Sequence, residues 1–243
     1  NSRAMSTTWQ LVDDLDARHD AAGQMAADLA LLDDVAAGAP PALRLYRWSP
    51  PALSLGRFQP DDDVDHDACR RHGVDVVRRP TGGRALLHGA DVTYAAAMRP
   101  AGAPVAGVDA VYRLLAGALI AGLARLGVEA AIAYAGGPPG PVCFAGQQGA
   151  DLRVGDRKLC GSAQLHRDGA VLQHGAILLD RLDFDETDLL RGAAVPGGRS
   201  RLRAATVTLR ELGVPVAPAT VAGGIAEGFR STLDLRFTSR LEA

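Results

Sequence analysis

The stretch DLRVGDRKLCGSAQLHRDGAVLQHGAILLD, residues 151–180, decides the fold. It divides into three runs, DLRV, RKLCGSAQLHR and AVLQHGAILL, separated by the pairs Gly155-Asp156 and Asp168-Gly169. Such pairs favour tight hairpin turns, so the stretch predicts a meander of three antiparallel strands. Side chains alternate along a strand, which puts Lys158, Cys160 and Ser162 on one face and Leu159 on the other. A two-residue second turn sets Lys158 and Cys160 opposite Leu179 and Ile177. A bulge would break that register, and Gly161 is the natural site for one.

Lys158 is the only lysine in a chain whose Lys and Arg together number 26. An amine is compact and can lose its proton when desolvated, whereas a guanidinium stays charged and spreads into a wide fork. Apolar neighbours across the meander would lower the amine's pKa. The position therefore reads as one that needs an amine.

Upstream, RRPTGGRALLHGADVTY, residues 78–94, follows a predicted strand at 74–79. Gly82 and Gly83 have no side chains to keep a ligand away from the backbone. The segment is neither a Walker A loop nor a dinucleotide fingerprint, so it does not name its ligand. Further strands are predicted at 43–48 and 53–56. An amphipathic helix is predicted from Asp14 to Ala37, stopped by Gly38, Pro40 and Pro41, and a second from about 109 to 126, stopped by Gly127. The alternation predicts an α/β (α+β) domain.

The 243 residues, 47% hydrophobic and 22% charged, suit a soluble globular chain, read as a single domain over 5–243 after a four-residue expression scar. A formal net charge of -2 gives no footprint for nucleic acid, and no apolar run is long enough for a membrane. Three cysteines make no disulfide framework, and with no signal pattern the expected location is cytoplasmic. The Cys and His spacings match no zinc site, so no metal is expected. Cys69 is placed on a surface helix. Cys143, in PVCF, and Cys160 stand level as nucleophiles on residue chemistry alone. His88 and His174 are candidates to line a site, while His19, His66, His72 and His166 lie in polar surroundings.

The motifs RWSPPALSLGRFQ (47–59), VVRRPTGGRALLHGADVTY (76–94), PVCF (141–144), GDRKLCGSAQ (155–164) and LQHGAILLD (172–180) occur in that order. Together they resemble the biotin/lipoate A/B protein ligase family, and within it the octanoyl-acyl carrier protein:protein N-octanoyltransferases of the LipM type. The resemblance implies a catalytic domain with a large mixed β-sheet, a smaller sheet, flanking helices and an acyl tunnel beside the RRPTGG segment. It further implies Cys143 as the residue that carries an acyl thioester, Lys158 as its partner, and no cofactor. The implied substrate-binding set is Arg79, Thr81, Gly82, Gly83, Arg84, His88, Gly161, Ser162, His174 and Gly175. The implied partners are octanoyl-acyl carrier protein as donor and, as acceptor, a lipoyl domain of a 2-oxoacid dehydrogenase E2 or the glycine cleavage H protein. An ATP- and Mg²⁺-dependent lipoate ligase, an amidotransferase between lipoyl domains and a silent acyl-binding module remain as other readings.

Overall fold

The computed structural model describes residues 7–100, 108–133, 151–191 and 198–239. Cys143, with its PVCF motif and the preceding Gly/Pro loop, lies outside them.

The meander is present. β8 (Leu152–Val154), β9 (Arg157–Arg167) and β10 (Ala170–Leu178) pair antiparallel, and Asp168 and Gly169 both take positive φ at the second turn. Cys160 lies opposite Ile177 as the two-residue turn requires. The bulge falls elsewhere than Gly161. Cys160 pairs with Leu152 but Lys158 with Arg153, so the β8–β9 ladder slips and leaves Leu159 over. Leu159 and Cys160, consecutive in sequence, both enter one core. The alternation expected to put Lys158 beside Cys160 is thus broken between them.

Around the meander, β1 (Thr7–Asp14), β2 (Ala42–Tyr46), β6 (Asp91–Met98), β7 (Ala131–Ile132) and β11 (Leu235–Ser239) complete an eight-stranded mixed sheet in the order β11-β1-β2-β6-β10-β9-β8-β7. A smaller sheet, β4-β3-β5, comes from β3 (Ala52–Leu55), β4 (Asp75–Arg78) and β5 (Leu86–His88). The first helix is shorter than the apolar spacing suggests. Asp20 caps it by accepting from Gly23 N at 2.7 Å, so α1 runs Ala21–Ala36, and residues 15–20 are a connection from strand β1, which ends at Asp14. The short helix α2 spans His66–Arg71, and α3, Val108–Arg125, matches the predicted second helix.

One face of the large sheet lies under α3 and α6 (Pro218–Thr232). There Leu115, Leu119 and Leu123 of α3 and Ile225 and Phe229 of α6 cover Tyr94, Leu159, Cys160 and Ile177. The opposite face is shared. On β10, Leu172 packs beneath α1 with Met25, Leu32 and Trp48, while Ala176 packs beneath the small sheet with Leu53, Leu55 and Leu86. His174, midway between them on the same strand face, sits at the seam.

Candidate active site

That seam opens into a cavity. Met25, Tyr46, Trp48, Leu86 and Ala176 give it apolar walls, and the peptide of Gly161 to Ala163 borders it on β9. Of the expected substrate-binding residues, Arg79, Gly83, His88, Gly161, Ser162, His174 and Gly175 line it. Thr81, Gly82 and Arg84 stand one contact back, Thr81 against His174 and the carbonyls of Gly82 and Arg84 against Arg79.

Arg79 fastens the glycine-rich segment instead of reaching into open space. Its guanidinium donates to Ser54 O at 2.8 Å, Gly82 O at 3.0 Å and Arg84 O at 2.7 Å. Gly83 takes φ +95°, a conformation L side chains rarely adopt, and a Cβ on Gly56 would stand 1.9 Å from Gly83 O. Two glycines therefore let β3 and the segment touch backbone to backbone. The Arg79 side chain, three residues before the pair, turns back onto the segment's carbonyls and holds it there.

Both candidate histidines are held by buried carboxylates. His174 Nδ1 lies 2.8 Å from Asp28 Oδ2, and its Nε2 2.7 Å from Thr81 Oγ1. His88 Nδ1 lies 3.0 Å from Asp91 Oδ2, its Nε2 2.9 Å from Ser54 Oγ, and Trp48 stacks on its ring at 4.2 Å. Asp91 is held below the usual carboxylate range: burial works against its charge, but His88 and hydrogen bonds from Gly89 and Thr93 outweigh it. Asp28 also accepts from Arg44 Nη1 at 2.8 Å and from the Tyr46 hydroxyl at 2.9 Å. Burial and the Asp28 charge raise the Tyr46 phenol well above its ordinary value, so it stays a donor. The histidines are positioned, each with one ring nitrogen committed to an acidic group.

Gly175 has a different reason to be glycine. Any Cβ there would lie 2.4 Å from Gly161 O and 2.8 Å from the Tyr94 ring, whose hydroxyl sits 2.8 Å from Ser162 Oγ.

Lys158 is completely buried, and its Nζ lies 2.7 Å from Asp151 Oδ2. Asp151 Oδ1 accepts in turn from Ser162 N at 3.4 Å, tying the lysine to the strand that borders the cavity. Cys160 belongs to the core under α3 and α6, opposite the face that opens into the cavity. Cys69 is buried too, a correction to its surface placement: α2 turns it into the core of the small sheet, and burial raises its thiol pKa. Among the described residues no group of three His, Cys, Asp or Glu could hold a metal ion.

Asp28, Asp91 and Asp151 were not read from the sequence. For Asp28 the signal was there: Met25, Asp28, Leu32 and Val35 share one helical stripe, and a carboxylate on an apolar stripe asks for a buried partner.

The model of the lipoyl protein ligase A/B catalytic domain matches residues 20–225. The chain belongs to that family. Octanoyltransferase LipM of Symbiobacterium thermophilum is 40% identical, the match taking in 96% of this chain and 89% of that one. Octanoyltransferase LipM of Kyrpidia tusciae is 38% identical over 94% of this chain and 88% of its own. With such relatives along nearly its whole length, this member of the family is an acyltransferase. In fold it is similar to a T. acidophilum protein solved with bound lipoic acid, at TM-score 0.77 and 24% identity over 98% of this chain and 90% of that one. It is also similar to lipoate-protein ligase A bound with ATP, at TM-score 0.76 and 24% identity over the same shares. The large and small sheets and flanking helices expected from the sequence are those of the family. No described helix is long and apolar enough to cross a membrane.

Proposed function

We propose that the chain transfers an octanoyl group from octanoyl-acyl carrier protein to the lysine of a lipoyl domain, through a thioester on Cys143. The observation that carries this reading is the 40% identity to an Octanoyltransferase LipM across 96% of the chain. The buried Lys158–Asp151 pair, one hydrogen bond from the Ser162 that borders a cavity walled by Met25, Tyr46, Trp48 and Leu86, supports it, since such a cavity suits an unbranched acyl chain.

The chemistry proceeds in two displacements. The Cys143 thiolate attacks the donor's carbonyl carbon, the bond to the carrier's sulfur breaks, and the carrier thiol leaves with a proton. The acceptor amine then attacks the new thioester, the bond to Cys143 Sγ breaks, and an amide remains. A free cysteine, of pKa about 8.5, is only slightly ionised at neutral pH, and the Lys158 charge favours its thiolate. In the second step one proton leaves the amine nitrogen and one arrives at Cys143, with Lys158 as the relay. Both steps exchange an already activated acyl group, so no nucleotide enters.

The test is to incubate the protein with octanoyl-acyl carrier protein and a lipoyl domain in the absence of ATP and Mg²⁺. Octanoylated lipoyl domain is expected. Modification only from free octanoate with ATP would establish a ligase instead.

A further inference from the structure

A second hollow lies on the same face of the large sheet as the acyl cavity. Leu87, Leu178, Leu182, Phe184, Glu186 and Thr208 line it. β10 sets the two in series: Ala176 borders the acyl cavity, and Leu178, the next side chain on that strand face, borders the second. The second hollow also borders the main chain of Lys158. Thr206 in its wall forms a β-bridge with Lys158, and Val207 N donates to Lys158 O at 2.9 Å.

Its lining is amphipathic. Leu87, Leu178, Leu182 and Phe184 offer apolar contact, and Glu186 brings a buried carboxyl whose Oε1 caps Leu87 N, on edge strand β5, at 3.1 Å. Arg181 is committed to Glu211 and Thr206, and Asp180 to Arg210. Arg203, exposed, borders the same hollow from helix α5 (Gly198–Ala205). Apolar patches interleaved with hydrogen-bonding groups, leading to an exposed guanidinium, suit a flexible arm that carries amides and methyl groups and ends in a phosphate.

We propose that this second cavity receives the phosphopantetheine arm of the octanoyl donor, with the thioester at the junction beside Lys158 and the phosphate toward Arg203. The assignment rests on the octanoyl-transfer reading and adds to it the place where the leaving thiol is bound. It also gives the carrier-bound acyl group an advantage over a free one, since arm and chain are held in neighbouring cavities along β10.

Equilibrium binding of two inert thioethers tests it: S-octyl phosphopantetheine and S-octyl mercaptoethanol, titrated calorimetrically into the wild type, Ala90→Leu and Leu182→Trp. Ala90 and Leu182 border the cavity from different segments, and both substitutions fill it. The wild type should bind the phosphopantetheine compound at least about tenfold more tightly, and each variant should erase that preference while still binding the short thioether. Arg203→Ala should weaken the phosphorylated compound and leave its unphosphorylated form unaffected. The proposal is overturned if the arm adds nothing in the wild type, if the preference survives both filling variants, or if both variants lose the two ligands alike. Binding requires no turnover. Selective binding of the arm by a protein that transfers no octanoyl group would therefore count against the proposed function and not against the arm site.

Discussion

Lys158 Nζ stands 2.7 Å from Asp151 Oδ2, with both side chains almost fully buried. Burial by itself disfavours an ammonium, and the carboxylate offsets that penalty, so each charge depends on the other. Asp151→Ala should therefore destabilise the fold by about 3–5 kcal/mol, the cost of leaving a buried charge without its partner. Adding Lys158→Met should restore much of the stability in urea unfolding but none of the acyl transfer. Recovery of both would make the pair purely structural.

Replacing the lone lysine by arginine keeps the charge and changes the shape. The site is fully buried, so a wide fork must displace its neighbours, and a guanidinium, which keeps its charge, cannot relay a proton. Lys158→Arg should be nearly as damaging as Lys158→Ala in single-turnover transfer to the acceptor. Transfer close to the wild-type rate would mean that a fixed positive charge is all the reaction needs.

A different loss is expected at Gly56, where β3 meets the glycine-rich segment. A Cβ there would overlap Gly83 O at 1.9 Å, so Gly56→Ala must push the segment away from Ser54 and Arg79. The cost should be about 1–3 kcal/mol of stability, as for other overpacked sites. Binding of an octyl thioether should weaken with it, measured by calorimetry at a temperature where the variant remains folded. Undiminished binding would separate the segment from the acyl site.

Glu186 gives a pH dependence whose sign is fixed. Burial raises its carboxyl from an ordinary 4.5 to about 7, partly offset by the hydrogen bond from Leu87 N. Between those values the folded state holds a proton that the unfolded state has lost, so stability falls as pH rises from about 4.5 to 7. Glu186→Gln keeps an acceptor for Leu87 N and removes the ionisation. It should raise stability by about 3 kcal/mol at pH 8, as an upper figure, and by little at pH 4.5. Equal effects at both pH values would show that the carboxyl is not destabilised by burial.

What was legible in the sequence is local. Turn pairs located the meander and its Cys160–Ile177 register, and apolar spacing located α3. What was missed depends on distant partners. β1 carries no local signal, because its strand character comes from parallel pairing with β2 and with β11, over two hundred residues away, while Leu15, just past its end, fits a helical spacing with Met25 and Leu29 that the fold does not use. Glu186, Arg203 and most of the second cavity's wall lie in the C-terminal stretch, which carries no motif. The glycines and histidines of the site were named from their motifs. Asp28, which fixes His174, acts through a contact that only the packing of α1 onto β10 creates, whereas Asp91 stands three residues from His88, where nothing in the motif marks which side chains turn inward.

The most direct test of the account is the mass of the protein after brief exposure to octanoyl-acyl carrier protein, for the wild type, Cys143→Ala and Cys160→Ala. The core position of Cys160 and the match of Cys143 to the PVCF motif predict one octanoyl adduct on the wild type and on Cys160→Ala, and none on Cys143→Ala. An adduct that persists in Cys143→Ala and disappears in Cys160→Ala would contradict it.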